Sequence, residues 1–234
     1  MLIALVVFIA AMVQGVMGFG AALIAMPLLV TLVGIQTATP AFALVGLLAT
    51  LLNAIRWRAH VTWNDLAQLL APTVIGIPIG VLLLSHVDSV LVTRSLGVIL
   101  ILYAAYNLLG HVMPPLRNPA WAYVAGFSSG LLSGAFNTGG PPVIVFANAR
   151  GWTADQFRGN LQTYFLLTSL IVLVSHALSS HYTPDVLRTA LVAIPAMLVG
   201  QFTGVRLCRY VNQDVFRRLV LVFLLVLGLQ LLLT

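Results

Sequence analysis

Residues 1–34 are apolar and carry no charged side chain. Seven more apolar runs follow, at 37–57, 65–84, 90–110, 120–149, 159–180, 186–207 and 214–234. Most approach the ~20 residues that an α-helix needs to cross the hydrocarbon core of a bilayer. That pattern fixes the solvent in which the chain folds. Charged residues make up 7% of the sequence and mean hydropathy is +1.07, whereas soluble domains carry roughly 25% charge. So few charges cannot cover a water-soluble surface. A soluble globular protein, a disordered chain and a secreted disulfide scaffold are excluded, and an all-α polytopic membrane protein is expected.

The ionisable residues are 11 Lys and Arg, all of them Arg, with 5 Asp and Glu, all of them Asp, and 5 His, for a formal charge of +6. In a soluble protein that balance would suggest nucleic acid. Here the arginines lie mostly between apolar runs, so they report topology through the retention of positive loops in the cytoplasm, and no nucleic-acid partner is expected. The lone cysteine, Cys208, excludes an internal disulfide and a multi-cysteine metal site. Met1–Ala4 lacks the basic start of a cleaved signal peptide, so the N-terminus is expected in the mature protein.

Two of the runs are broken by glycine. Residues 1–34 are interrupted at Gln14-Gly15-Val16-Met17-Gly18-Phe19-Gly20, and 120–149 at Ser133-Gly134-Ala135-Phe136-Asn137-Thr138-Gly139-Gly140-Pro141-Pro142. Gly15 and Gly20 stand 119 residues before Gly134 and Gly139. Gly76, Gly80 and Arg94 stand 124 residues before Gly200, Gly204 and Arg218. Near-constant spacing in one order indicates an internal repeat: residues 1–112 as a first repeat, 113–119 as a linker and 120–234 as a second.

A run of 34 residues is too long for one crossing and too short for two with a turn, which suits a re-entrant hairpin of two half-helices. If both broken runs are re-entrant, each repeat crosses three times and the second is inverted. Arg56, Arg58, Arg117, Arg150, Arg158, Arg206, Arg209, Arg217 and Arg218 then share one side, leaving Arg94 and Arg188 opposite. A single broken span in each half would divide the arginines less unequally. The inverted arrangement is therefore preferred, with both termini outside the cytoplasm.

In this arrangement the breaks meet near the midplane. Asn137 or Thr138 suits an N-cap and Pro141 and Pro142 the first helical turn, so a half-helix should start near residues 139–142. Two facing helix N-termini, with glycines that admit close backbone approach, make an anion site without a buried cation. The candidate ligands are Gln14, Gly15, Gly18, Phe19, Gly20, Asn137, Thr138, Gly139 and Gly140. Gln162, in the amide-rich stretch Asn160, Gln162, Tyr164, is a further candidate for the lining. The alternative is that the glycines only permit tight packing. That is the preferred reading for Gly76, Gly80, Gly200 and Gly204. The histidines are expected at loops or interfaces, and no metal-ligand spacing, serine elbow, phosphate loop or carboxylate pair marks an enzyme. No carboxylate lies deep in a run, so proton coupling would need a histidine or the substrate's own protonation.

The segment Gln14–Gly20 with Pro27-Leu28-Leu29, the stretch Gln36–Ala41, and Gly130-Leu131-Leu132-Ser133-Gly134 running into Gly139-Gly140-Pro141-Pro142 resemble the paired signature of the sulfite exporter TauE/SafE family, also called toluenesulfonate-uptake permeases. The resemblance covers essentially the whole chain. It implies a carrier in the bacterial inner membrane for sulfur-containing anions such as sulfite, sulfoacetate or other organosulfonates, in either direction. The expected partners are a small inorganic or organic anion, the lipid bilayer and, as an open alternative, a second copy of the chain in a homodimer. No cofactor or metal is called for. The alternatives to a secondary transporter are a passive anion channel and a non-transporting membrane assembly protein.

Overall fold

The computed structural model describes residues 1–57, 60–110 and 118–233. Most of the expected linker, residues 113–117, lies outside them, as do Arg58, His111 and Arg117. Ten α-helices follow one another among the described residues: α1 Leu2–Met17, α2 Ala21–Val33, α3 Ile35–Trp57, α4 Trp63–His86, α5 Ser89–Leu108, α6 Ala120–Phe136, α7 Gly140–Arg150, α8 Ala154–Leu178, α9 Pro184–Leu207 and α10 Gln213–Leu233. Six of them, α3, α4, α5, α8, α9 and α10, are long and apolar enough to cross a membrane. The chain is an all-helical, multi-pass membrane protein. The two broken runs are the helix pairs α1–α2 and α6–α7.

Local chemistry sets the helix ends. Asp88 accepts hydrogen bonds from the backbone N–H groups of Val90 and Leu91 and so starts α5. Thr153 and Gln156 form a reciprocal capping box at the start of α8. That box captures a polar first turn, including the Asp155–Arg158 ion pair at 3.7 Å, so α8 begins five residues before the apolar run does. At the first break, Gly18 (φ 84°) ends α1 and Gly20 (φ 100°) precedes α2. Both are left-handed conformations that a Cβ disfavours. At the second break Asn137 (φ 55°) takes the place that Gly18 has in the first.

Packing is dominated by close backbone approach. A Cβ on Gly76 or Gly80 of α4 would stand 2.5 Å from the Phe127 carbonyl oxygen or 2.2 Å from that of Leu131. In return, a Cβ on Gly126, Gly130 or Gly134 of α6 would lie 2.2, 2.6 or 2.2 Å from the carbonyls of Leu69, Thr73 or Ile77. The pairs advance together along both helices, so α4 and α6 run parallel. The same contact recurs between α1 and α9, where Gly200 abuts Phe8, and Gly204 abuts Met12 and Gly15. Without a hydrophobic drive between helices in lipid, such close van der Waals contact is what holds them. Gly97 and Gly228 play this part between the antiparallel α5 and α10. The broken helix of each half therefore packs on a crossing helix of the other half.

The half-helices are longer than a midplane meeting requires. α1 and α6 have 16 and 17 residues, or about 24–26 Å at ~1.5 Å per residue. Gly15 lies beside Gly204 and Val205, in the last turns of α9. At the other break, the Thr39 hydroxyl in the first turns of α3 donates to the Ala135 carbonyl at 3.2 Å. The two tips thus pass one another and flank a shared space.

The second break is held by a buried polar chain. Ser129 Oγ donates to the Gly139 carbonyl at 2.6 Å. The Tyr164 hydroxyl donates to Ser129 Oγ at 2.8 Å and lies 2.7 Å from Thr73 Oγ1. Thr73 in turn lies within 2.7 and 2.8 Å of the Leu69 and Gly126 carbonyls. All three side chains are fully buried. Tyr164 and Thr73 thereby tie α8 and α4 to the residue that precedes α7.

Two outcomes follow for detergent-solubilised protein followed by thermal unfolding. Gly80→Ala forces a methyl into the Leu131 backbone and is expected to cost about 1–3 kcal/mol. Gly46→Ala, whose Cβ meets nothing nearer than Phe42 at 3.9 Å, should leave the transition where it is. Tyr164→Phe removes the shared hydroxyl and should cost about 1–3 kcal/mol through partners left unsatisfied. Equal melting temperatures for Gly80→Ala and Gly46→Ala would contradict the packing account.

Candidate substrate cavity

Both breaks open onto one pocket, partly open to the outside, of about 90 Å³, well above the roughly 10–15 Å³ that one water needs on the same measure. Gln14, Phe19 and Gly20 line it from the first break, and Asn137, Thr138, Gly139 and Gly140 from the second. The walls come from α3 and α8. Phe42, Ala43, Gly46 and Thr50 form one stripe, and Phe165, Thr168, Ser169 and Val172 the other. The second follows the i, i+3, i+4, i+7 spacing of a helix face, and the first lies at i, i+1, i+4, i+8 of its helix, also one face.

The lining repeats itself in register. Gln14, Phe19, Gly20 and Ala21 stand 119 residues before Ser133, Thr138, Gly139 and Gly140, and Phe42 and Gly46 stand 123 before Phe165 and Ser169. The wall residues were missed in the sequence, although the shared offset carried a signal. Phe and Gly or Ser are common in apolar helices, and the matching offset became informative only once a cavity selected these positions.

Three candidates lie elsewhere. Gly15 packs against α9, where a Cβ would stand 2.6 Å from the Gln201 carbonyl oxygen. Gly18 turns its carbonyl to the Gln162 side-chain amide, which donates to it. Gln162 therefore braces the first break from α8. Neither Gly18 nor Gln162 lines the cavity. The rest of the amide-rich stretch is also taken up by structure. Asn160 accepts from the Thr62 N–H at 2.7 Å and donates to its hydroxyl at 2.6 Å, securing the residue that starts α4. Gln201 likewise donates to Asn53 at 3.3 Å.

The residues at the second break differ in what they do. Asn137 is not an N-cap: it closes α6 and its amide donates to the Thr39 carbonyl at 2.6 Å. Gly139 precedes α7 without a side-chain cap. It is a packing glycine as well as a lining one, since a Cβ there would lie 2.0 Å from Ser133 Oγ and 2.6 Å from the Ser129 carbonyl. Gly140 has room, with Phe165 at 3.5 Å from its would-be Cβ. Thr138 is 1% exposed, and its buried hydroxyl has no hydrogen-bond partner among the described residues. An unpaired buried hydroxyl is costly unless something else satisfies it.

The electrostatics of the cavity come from neutral groups, because no lining residue carries a charge. α2 begins in the wall, and the N–H groups of Ala21, Ala22 and Leu23 precede the first intrahelical acceptor, which serves Ile24 through Gly20. α7 begins opposite with Gly140, while Pro141 and Pro142 supply no N–H. Both helices direct the positive end of their dipole toward this region. The arrangement offers backbone N–H groups, the Thr138 hydroxyl and side-chain amides to a small anion, with aromatic and apolar walls around them.

Comparison with known proteins agrees in kind. A probable inner membrane transporter protein TsaS from Comamonas testosteroni is 26% identical over 175 residues, covering 74% of this chain and 73% of the relative. A probable sulfite/organosulfonate exporter TauE from Cupriavidus necator is 25% identical over 155 residues, covering 63% of this chain and 59% of the relative. No solved structure matches the chain. Residues 3–231, almost the full length, match the sulfite exporter TauE/SafE family, and the chain belongs to that family.

Proposed function

We propose that the chain is a secondary transporter of small sulfur-containing anions, sulfite or organosulfonates, and that the anion binds in the cavity between the two breaks. The observation that carries the reading is the Thr138 hydroxyl: fully buried, without a partner among the described residues, and set in a cavity wall two residues before α7 begins. An oxyanion accepts hydrogen bonds at every oxygen and must recover its hydration on entering a dry site. Thr138 supplies one donor, the N–H of Gly140 a second, and the start of α2 several more across the cavity. Neutral donors hold the anion without trapping it, as a carrier requires. The names of the two relatives and of the family support the substrate class.

The packing supports an inverted repeat as the carrier's framework. Equivalent helix pairs, α1 with α9 and α6 with α4, each run parallel and share the same glycine contacts. Among the described arginines, Arg56, Arg150, Arg158, Arg206, Arg209, Arg217 and Arg218 belong to the end where α3, α7 and α9 finish, and Arg94 and Arg188 to the other. By the positive-inside rule the first end is cytoplasmic and both termini are periplasmic. Rocking of one interlocked pair against the other would expose the cavity to each side in turn.

Binding to purified protein, by calorimetry with sulfite, thiosulfate, methanesulfonate and acetate, tests the reading. Thr138→Val keeps the shape and removes the donor. It should weaken binding of the preferred sulfur oxyanion by about 1–3 kcal/mol, roughly 5- to 150-fold. Gly46→Leu places a side chain into the cavity from α3, where there is space for it, and should abolish binding in a protein that still elutes as one species. Unchanged affinity in both variants would place the anion elsewhere. Concentrative uptake into proteoliposomes, as against flux that only equilibrates, separates a carrier from a channel.

A further inference from the structure

Two histidines meet where α8 turns into α9. His176, in the last turns of α8, is fully buried rather than interfacial. Its Nδ1 lies 2.8 Å from Nδ1 of His181, and the ring centroids are 5.1 Å apart. His181 Nε2 lies 3.0 Å from Ser85 Oγ, which donates to the Val81 carbonyl at 2.8 Å. His176 Nε2 is buried with no hydrogen-bond partner among the described residues.

A Nδ1–Nδ1 contact at this distance holds one proton, because one ring must donate and the other accept. Two neutral arrangements satisfy it. In the first, His176 donates to His181, His181 Nε2–H donates to Ser85, and His176 Nε2 is a bare lone pair. In the second, His181 donates to His176, Ser85 turns its hydroxyl to His181 Nε2, and His176 Nε2 carries the hydrogen. In either arrangement His176 Nε2 is left unpaired among the described residues.

The pair borders one space and lies close to the helix face that lines another. His181 and Ser85 line a cavity of about 330 Å³ with Gln36, Thr37, Ser180 and Thr183, where α3 begins and α8 ends. His176 stands one turn beyond Val172 on the α8 stripe that walls the central cavity. At this end of the elements that meet here, the other titratable or charged groups are His86, Asp88, Arg94, Tyr182, Asp185 and Arg188. His86 and Asp88 are engaged at their own helix ends, the Tyr182 hydroxyl donates to the Leu173 carbonyl, and Asp185 and Arg188 form an exposed pair.

We propose that His181 and His176 form a two-imidazole proton wire between the outer cavity and the central one, moving one proton with each anion. This rests on the anion reading of the central cavity. The step starts from the second arrangement. A hydronium ion in the outer cavity gives its proton to His181 Nε2. The shared proton shifts from His181 Nδ1 to His176 Nδ1, and the proton on His176 Nε2 passes to an oxygen in the central cavity, that of the anion or of a water. One N–H bond forms and one breaks on each ring, and one proton enters and one leaves, so the pair ends in the first arrangement; the start is restored when the rings turn apart and each gives one proton to water from one nitrogen and takes one from water at the other. Burial lowers the His181 pKa below its usual value, so the ring is neutral at pH 7 and holds an added proton only in passing.

The test uses the full chain in proteoliposomes with a trapped pH dye and methanesulfonate, which stays an anion throughout the working range and carries no proton itself. Wild type should take up about one proton per sulfonate. His176→Gln and His181→Gln keep hydrogen-bonding capacity but cannot relay, and should lower the proton-to-sulfonate ratio at least tenfold. Ser85→Ala should lower it about threefold. An unchanged ratio in folded His181→Gln, whose site is partly exposed and tolerant, would overturn the wire. So would a wild type that takes up sulfonate without protons, which would leave the anion site standing. If wild type neither binds nor moves any sulfur oxyanion, the anion reading fails. The wire is then judged from ¹⁵N-histidine spectra in lipid nanodiscs: a shift of the His176 titration in His181→Gln supports it, and an unmoved His176 overturns it.

Discussion

The structure depends on backbone touching backbone. In lipid, apolar side chains gain little by leaving the solvent for one another, so helices associate where their surfaces fit closely. On α4 and α6, and again on α1 and α9, glycines bring carbonyl oxygens to within 2.1–2.6 Å of where a Cβ would be. These contacts fix α1 and α6 against the membrane-length helices α9 and α4. Because each broken helix is anchored along its length, its tip can end in irregular backbone inside the protein. Irregular backbone at that depth is tolerable only where protein or a cavity surrounds it.

Two kinds of glycine follow from this, and they answer differently to substitution. Gly76, Gly80, Gly200 and Gly204 are there for approach, and Gly15 belongs with them despite its place in the first break. Gly18 and Gly20 are there for a left-handed backbone, with nothing within 4 Å of a would-be Cβ. Gly139 combines cavity lining with a tight fit against Ser129 and Ser133. Polar side chains complete the support: Gln162 holds Gly18, and Tyr164, Ser129 and Thr73 hold Gly139. The donors for a substrate are thereby positioned by groups that do not themselves face the cavity.

Much of the fold was legible because lipid imposes a simple code. Run length gave the six membrane-length helices, and the glycine breaks marked where α1 gives way to α2 and α6 to α7. Details set by local capping, such as the early start of α8 at the Thr153–Gln156 box, were hidden by a polar first turn. The candidate site was legible in part. Seven of its ten residues line the cavity, but Gly15, Gly18 and Gln162 serve packing and bracing, which spacing along the chain does not reveal. The walls on α3 and α8 were missed because an apolar stripe facing a cavity resembles one facing lipid. His176 was misplaced for a related reason: its burial comes from neighbours distant in sequence.

The central claim is that one small anion sits between the starts of α2 and α7. Selenite shares the shape and charge of sulfite and scatters anomalously, so a crystal of the protein soaked in it locates the ion directly. The account predicts an anomalous peak within hydrogen-bonding distance of Thr138 Oγ1 and of a backbone N–H at the start of α2 or at Gly140. A peak remote from both helix starts, with the cavity between them empty, would contradict it.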